Sequence, residues 1–173
     1  KARDLETEVS KLQQESGYPY VVNIDTANRA NPIDGKIIMS NLCSEVLQVQ
    51  TPSEINDAQE YVKMGTDISC NLGSTNVVNM MTSPDFGRSI KAMTRALTFV
   101  SDTSSIEAVP TIKNGNDQAH TFGLGAMGLH TYLAQHHIHY GSPESIEFTN
   151  IYFMLLNYWT LVESNNIARE RQQ

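Results

Sequence analysis

Twice in this chain a serine, a proline and an acidic residue stand in a row, and each time apolar residues at helical spacing follow. Ser83-Pro84-Asp85 precedes Ile90, Met93, Leu97 and Val100; Ser142-Pro143-Glu144 precedes Phe148, Ile151, Tyr152, Leu155, Trp159 and Val162. A hydroxyl that can cap, a proline that needs no donor in the first turn and an acid near the positive end of the helix dipole together start a helix. The spacing then fixes which side of each helix must be buried, so the second half of the chain needs another layer to cover it. Leu5, Val9 and Leu12 place a further helix over 1–15, one that begins without a cap. Tyr18-Pro19-Tyr20-Val21-Val22-Asn23-Ile24 predicts a strand, followed by a polar loop through Asn31-Pro32 and Asp34-Gly35, and 36–41 and 46–50 are expected to be extended. A short strand over 120–123 and a helix over 126–136 complete the pattern. The fold class is mixed α/β, with 1–173 as a single partial domain.

Of the 173 residues 40% are hydrophobic and 18% charged, enough apolar surface for a core and against disorder. The formal net charge of -7 repels phosphate backbones, which argues against a nucleic-acid polymer or an anionic membrane as partner. The longest apolar run, 151–162, is broken by Asn157 and Thr160 and falls short of the roughly 20 residues of a membrane span. The chain opens on Lys1-Ala2-Arg3-Asp4 with no apolar leader, and Ile167-Ala168-Arg169-Glu170-Arg171-Gln172-Gln173 stops with helical composition still running. Both ends read as cut, so an internal piece of a longer protein is expected. Two cysteines, Cys43 and Cys70, are too few and too far apart for a secreted disulfide scaffold, and a reducing, cytoplasmic setting is the expectation.

The stretch with most chemistry is Met39-Ser40-Asn41-Leu42-Cys43-Ser44-Glu45. In an extended backbone alternate residues share a face, so Asn41, Cys43 and Glu45 would project together, the outer two roughly 13 Å apart. An amide that donates and accepts, a thiol capable of redox work and a carboxylate that accepts a proton suit the surroundings of a sugar. The same residues also occur as a buried thiol with loop polar neighbours, and spacing alone does not separate the two.

The residue identities add to this. Ser40-Asn41-Leu42-Cys43-Ser44-Glu45 resembles the active-site motif of ribonucleotide reductase large chains, and Asp67-Ile68-Ser69-Cys70-Asn71-Leu72-Gly73-Ser74 resembles the second cysteine motif of that family. The likeness extends from Tyr18-Pro19-Tyr20 and Asn28-Arg29-Ala30-Asn31-Pro32 to Gly123-Leu124-Gly125-Ala126-Met127-Gly128-Leu129-His130 and Ala168-Arg169-Glu170-Arg171. It looks most like aerobic subclass Ib; the cobalamin-dependent class usually has Asn-Pro-Cys where Asn41-Leu42-Cys43 stands. Thr75 and Thr131 occupy positions where relatives are expected to carry Leu and Gly, both outside the reactive residues.

The resemblance implies a ten-stranded α/β barrel of two half-barrels, with the reactive cysteine on a loop inside it and this chain supplying part of it. It implies reduction of ribonucleoside diphosphates to their 2′-deoxy forms. Cys43 would become a thiyl radical that removes the ribose 3′ hydrogen, Glu45 would take the 3′ hydroxyl proton, and Asn41 would hydrogen-bond the ribose hydroxyls. Leu42 and Ser44 would share the substrate-contacting loop, and Cys70 would be one of two thiols that end as a disulfide. Cys43 and Cys70 are expected to lie near each other without a bond between them. No cofactor is expected on this segment, because a small dimetal–tyrosyl radical subunit would supply the radical. A glutaredoxin- or thioredoxin-like reductant and a homodimeric full-length enzyme are also implied. The cysteine that would pair with Cys70 lies upstream in the family, so this piece alone is expected to be inactive.

Gly123-x-Gly125-x-x-Gly128 fits the dinucleotide fingerprint, and a Rossmann-type dehydrogenase is one alternative. It would need an acid at the end of a following strand; Glu144 instead opens a helix, and close helix–sheet packing accounts better for the glycines. A noncatalytic interaction or structural segment is the other alternative. His136, His137 and His139 read as a solvated helix end, with His120 and His130 upstream, and no metal is assigned. Tyr152, Phe153, Tyr158 and Trp159 are expected in the core and not as a base-stacking platform.

Overall fold

The computed structural model describes residues 1–104 and 106–172. Gln173, the last residue of the C-terminal helical run, lies outside the described residues. The chain forms two compact units, Lys1–Ile68 and Ser69–Gln173.

The first unit begins with α1 (Ala2–Ser16), whose N-terminus has no side-chain cap and whose end is closed by Gly17 in the left-handed region, its N–H bonded to the Gln13 carbonyl. Leu5 and Leu12 of the apolar stripe are exposed. The strand expected over Tyr18-Pro19-Tyr20-Val21-Val22-Asn23-Ile24 is absent. Ile24 instead opens α2 (Ile24–Ala30), with Asp25 in its first turn and Arg29 in its last. Those charges complement the helix dipole, whereas a strand would need a ladder partner. Neither 36–41 nor 46–50 is a strand in the described chain. A small antiparallel pair, β1 (Glu54–Ile55) and β2 (Tyr61–Lys63), follows, too short for any periodicity to mark it in the sequence. Its turn is organised by Asn56, whose Oδ1 accepts from the amides of Ala58 (3.0 Å) and Glu60 (2.9 Å). Ile37 and Val46 are the buried apolar residues of this unit.

The second unit runs β3 (Asn71–Asn76), α3 (Val77–Thr82), α4 (Phe86–Thr103), α5 (Pro110–Ala119), β4 (Phe122–Met127), α6 (Leu129–Gln135) and α7 (Pro143–Glu170). β3 and β4 are parallel and in register from Asn71 beside Phe122 to Asn76 beside Met127. A parallel pair cannot be joined by a hairpin, so α3 to α5 form the crossover. Gly73 lets α4 lie close to the sheet: a Cβ there would stand 3.2 Å from Leu97 Cδ1 and 3.3 Å from Met93 Sδ. Helix–sheet packing thus falls on Gly73, while Gly123, expected to serve it, instead meets the Leu72 side chain of the paired strand.

Both serine–proline signals precede helices, but they act differently. At Ser142 the hydroxyl accepts from the Ser145 amide and Pro143 opens α7 as expected. At the other site the cap is Asp85, whose Oδ1 accepts from the Arg88 amide at 2.8 Å, so Pro84 lies before the helix. β4 is longer and later than the expected 120–123, taking up residues 126–127; α6 starts after Gly128, which adopts φ 76. β3, α3 and α5 were not foreseen as elements.

Val77, Ile90, Tyr152 and Leu156 form the core, with Phe86, Leu124, Phe148 and Trp159 packed against it. Phe153 and Tyr158, expected inside, lie on the exposed side of α7. Arg95 of α4 donates to Glu163, buried on α7, and forks onto both oxygens of Glu170 at 2.9 and 2.7 Å, fixing the two helices in register. Among the described residues no helix is long and apolar enough to cross a membrane.

Gly87 of α4 lies against α7, where a Cβ would come within 2.7 Å of the Trp159 ring. Gly87→Ala is expected to cost about 2 kcal/mol by overpacking. Trp159 is the single tryptophan, so its fluorescence reports the shift directly; an unchanged emission spectrum and unfolding midpoint would refute the packing account.

Candidate active site

Asn41, Leu42, Cys43, Ser44 and Glu45 all fall in the first unit, and their backbone turns. The Ser44 amide donates to the Asn41 carbonyl at 3.1 Å, and Ser44 sits in the left-handed region at φ 64. The expected strand alternation of Asn41, Cys43 and Glu45 therefore does not hold. A β-turn keeps its first and fourth Cα atoms within about 7 Å, so the segment is shorter than the extended estimate. The physical reason lies in polar side chains that bond their own backbone in preference to a ladder. Asn41 Oδ1 accepts from the Val46 amide at 3.0 Å, and Ser40 Oγ donates to the Asn41 carbonyl at 3.0 Å.

This arrangement leaves the tip of the turn open. Leu42 is 88% exposed, Cys43 and Glu45 are exposed, and Val46 is buried behind them. The Asn41 amide oxygen is used inside the loop, which leaves Nδ2 as the donor of that side chain. A non-glycine residue in the left-handed region costs about 1–2 kcal/mol, and Ser44 carries that strain directly beside the thiol.

The segment is anchored upstream by Asn28. Asn28 of α2 donates from Nδ2 to the Ile37 carbonyl (2.9 Å) and accepts at Oδ1 from the Ile37 amide (2.9 Å). One carboxamide thereby satisfies both backbone groups of a residue that is 2% exposed, as a neighbouring strand would. Nothing periodic marks such a residue in a sequence. Tyr20 is the other neighbour missed. Its ring stacks on Tyr18 with centroids 5.0 Å apart, and its phenol is held above its ordinary range, first by the hydrogen bond and charge of Tyr18, with burial and the charge of Cys43 adding to it.

Cys70 lies in the second unit, immediately before β3, and is half-buried. No disulfide joins Cys43 to Cys70. The glycines of the fingerprint do not build a nucleotide loop: Gly123 and Gly125 lie inside β4, beside Leu72 and Ser74. His136, His137 and His139 are exposed, as expected of a helix end. Among the described residues no group of three or more His, Cys, Asp or Glu side chains is placed to hold a metal ion.

The family model of the ribonucleotide reductase barrel domain matches residues 1–173. The chain belongs to the ribonucleotide reductase barrel-domain family. It is 46% identical over 171 residues to the ribonucleoside-diphosphate reductase subunit alpha of Mycoplasma pneumoniae, and 43% identical over 171 residues to that of Bacillus subtilis; each alignment covers 98% of this chain and 24% of the relative. A more distant relative of the same name in Synechocystis is 33% identical over 174 residues, 98% of this chain and 20% of that protein. The chain thus spans about a quarter of the length of the first two relatives. Within a ribonucleotide reductase barrel domain, the mixture of helices with a parallel strand pair is what a part of an α/β barrel should contain, and the family match runs through both compact units.

Removing the Asn28 clamp should loosen the segment that leads to Cys43. Asn28→Ala leaves two buried backbone groups of Ile37 unpaired, and the hydrogen-exchange rate of the Ile37 amide is expected to rise by at least about tenfold. Asn28→Asp keeps the acceptor and should retain most of the protection. Equal exchange in the alanine variant would mean the segment is held by something else.

Proposed function

We propose that this chain is the part of a ribonucleoside-diphosphate reductase catalytic chain that carries out thiyl-radical reduction of the ribose. The observation that carries the reading is the exposed Cys43 on a side-chain-pinned turn, flanked by Asn41 and Glu45, in a chain of this family. In the proposed cycle the Cys43 sulfur takes the 3′ hydrogen atom of the ribose. Glu45 accepts the proton of the 3′ hydroxyl, which loads negative charge onto the sugar and helps the 2′ hydroxyl leave as water. Asn41 donates to the ribose hydroxyls, and Leu42 and Ser44 shape the same loop. The thiol of Cys70 and a second thiol outside these residues give two electrons and two protons and become a disulfide. Of the two protons one completes the departing water and one goes to C2′; the hydrogen atom then returns from Cys43 to C3′, and the proton from Glu45 to the 3′ oxygen.

The partners proposed follow from that chemistry. A small dimetal–tyrosyl radical subunit would supply the oxidising equivalent that removes hydrogen from the Cys43 thiol. A glutaredoxin- or thioredoxin-like protein would re-reduce the disulfide, and the full-length enzyme would be a homodimer with a ribonucleoside diphosphate as substrate. Chemistry that cycles through thiols suits a reducing, cytoplasmic setting. By this reading the 173 residues alone are inactive, since they lack the second thiol.

The test is substitution in the full-length chain, assayed with its radical partner. Cys43→Ser is expected to lower deoxynucleotide formation by at least about a thousandfold, and Glu45→Gln by about 10²–10⁴-fold. Undiminished turnover in Cys43→Ser would end the enzymatic reading and leave a structural role for the turn.

A further inference from the structure

The residues on either side of Cys70 are tied to the crossover helices by a closed ring of side chains. Ser69 Oγ donates to Asn116 Oδ1 on α5 at 3.3 Å. Asn116 Nδ2 donates to the Ser101 carbonyl on α4 at 2.9 Å, and Asn71 Nδ2 donates to the Ser101 hydroxyl at 2.5 Å. The chain from Ser69 through Cys70 to Asn71 closes the circuit. Asn116 is 4% exposed and Ser101 2% exposed, so two polar residues are kept where aliphatic side chains would pack with less risk of unpaired groups.

We infer that Asn116 is a positioning residue for the redox chemistry of Cys70, acting through Ser69. The inference rests on the reading of Cys70 as a redox-active thiol and adds how it is held. A disulfide requires Cβ atoms about 3.5–4.5 Å apart and a narrow dihedral range, and misfit stores strain that makes the bond easier to reduce. A cysteine that alternates between thiol and disulfide in every turnover therefore needs a backbone that does not relax away from its partner. The ring supplies this by fixing both flanking residues to two helices. Asn116 has a simpler use as well, since the Ser101 carbonyl is among the last four of α4 and has no partner within its own helix. That cap does not involve Ser69. The hydrogen bond from Ser69 satisfies the buried Asn116 Oδ1 and at the same time ties the residue before Cys70 to α5, and this tie gives the test its leverage.

The experiment uses the full-length chain with its radical partner. It measures kcat, KM, thermal midpoint and the midpoint potential of the Cys70 pair in a glutathione redox titration. Ser69→Ala is expected to lower kcat about tenfold with KM unchanged, to lower the thermal midpoint because the buried Asn116 Oδ1 loses its donor, and to shift the dithiol–disulfide equilibrium about tenfold, or about 30 mV. Ser69→Thr, which restores a hydroxyl, recovers all three. If Ser69→Ala does not fold, Asn71→Ala opens the ring from the other side and should give the same shift in potential. An unchanged kcat and potential in the alanine variant, or a loss that threonine does not restore, overturns the inference. Cys70→Ser separates the two levels: multiple turnover persisting in that variant removes the redox reading itself, and this inference with it, whereas its loss beside a silent Ser69→Ala removes the inference alone.

Discussion

The parallel register of β3 and β4 is the constraint on which the second unit depends. Two parallel strands meet only if everything between them folds back over the sheet, and here that means α3, α4 and α5. Gly73 brings α4 down onto the pair, Arg95 and Trp159 fasten α7 across α4, and Val77, Ile90, Tyr152 and Leu156 fill the space so enclosed. The hydroxyl of Thr75, on β3, reaches both the Gly125 carbonyl (3.1 Å) and the Tyr152 hydroxyl (2.9 Å), so a polar residue is tolerated in the core because each of its bonds is met. Burial pushes the Tyr152 phenol up, with Thr75 acting against that shift. Cys70 stands just ahead of this register, and its place in the unit is therefore set by the same strand pairing.

In the first unit a different device does the positioning. Carboxamides take the part of missing strands: Asn28 pairs with Ile37, Asn41 with Val46, and Asn56 with the turn between β1 and β2. Each fixes a backbone segment from a single side chain, which permits a turn at Asn41–Ser44 where a ladder would have imposed an extended run. The outcome is a thiol at the tip of a strained, open loop. The burial of Gln50 and the unpaired Gln48 Oε1 and Gln50 Nε2 show that the same segment also carries polar atoms without partners among the described residues.

What the sequence disclosed depended on how local the signal was. α7 was legible because Ser142, Pro143 and Glu144 act within one turn and the apolar spacing continues long enough to be unmistakable. Asp85 displaced Ser83 as a cap, since both can accept from a helical amide and only the final packing selects between them. β3 was invisible as a strand: Asn71-Leu72-Gly73-Ser74-Thr75-Asn76 lacks the β-branched alternation of an exposed strand, and its structure comes from pairing with residues 51 positions away. The strand foreseen over Tyr18–Ile24 failed for the converse reason, because favourable residues found no partner. The site residues were named from their identities. The turn that presents them rests on local bonds from Ser40 and Asn41 that compete with an extended run, while the Asn28 clamp and the ring around Cys70 depend on contacts between segments, which residue type alone does not announce.

The central claim is that the Cys43 sulfur takes the hydrogen atom from C3′ of the ribose. The most direct measurement compares turnover of a ribonucleoside diphosphate carrying deuterium at C3′ with that of the unlabelled substrate, using the full-length chain and its radical partner. The account predicts a primary isotope effect on kcat/KM that disappears, together with product, when Cys43 is replaced. Equal rates for the two substrates, with product still formed after Cys43 is replaced, would contradict it.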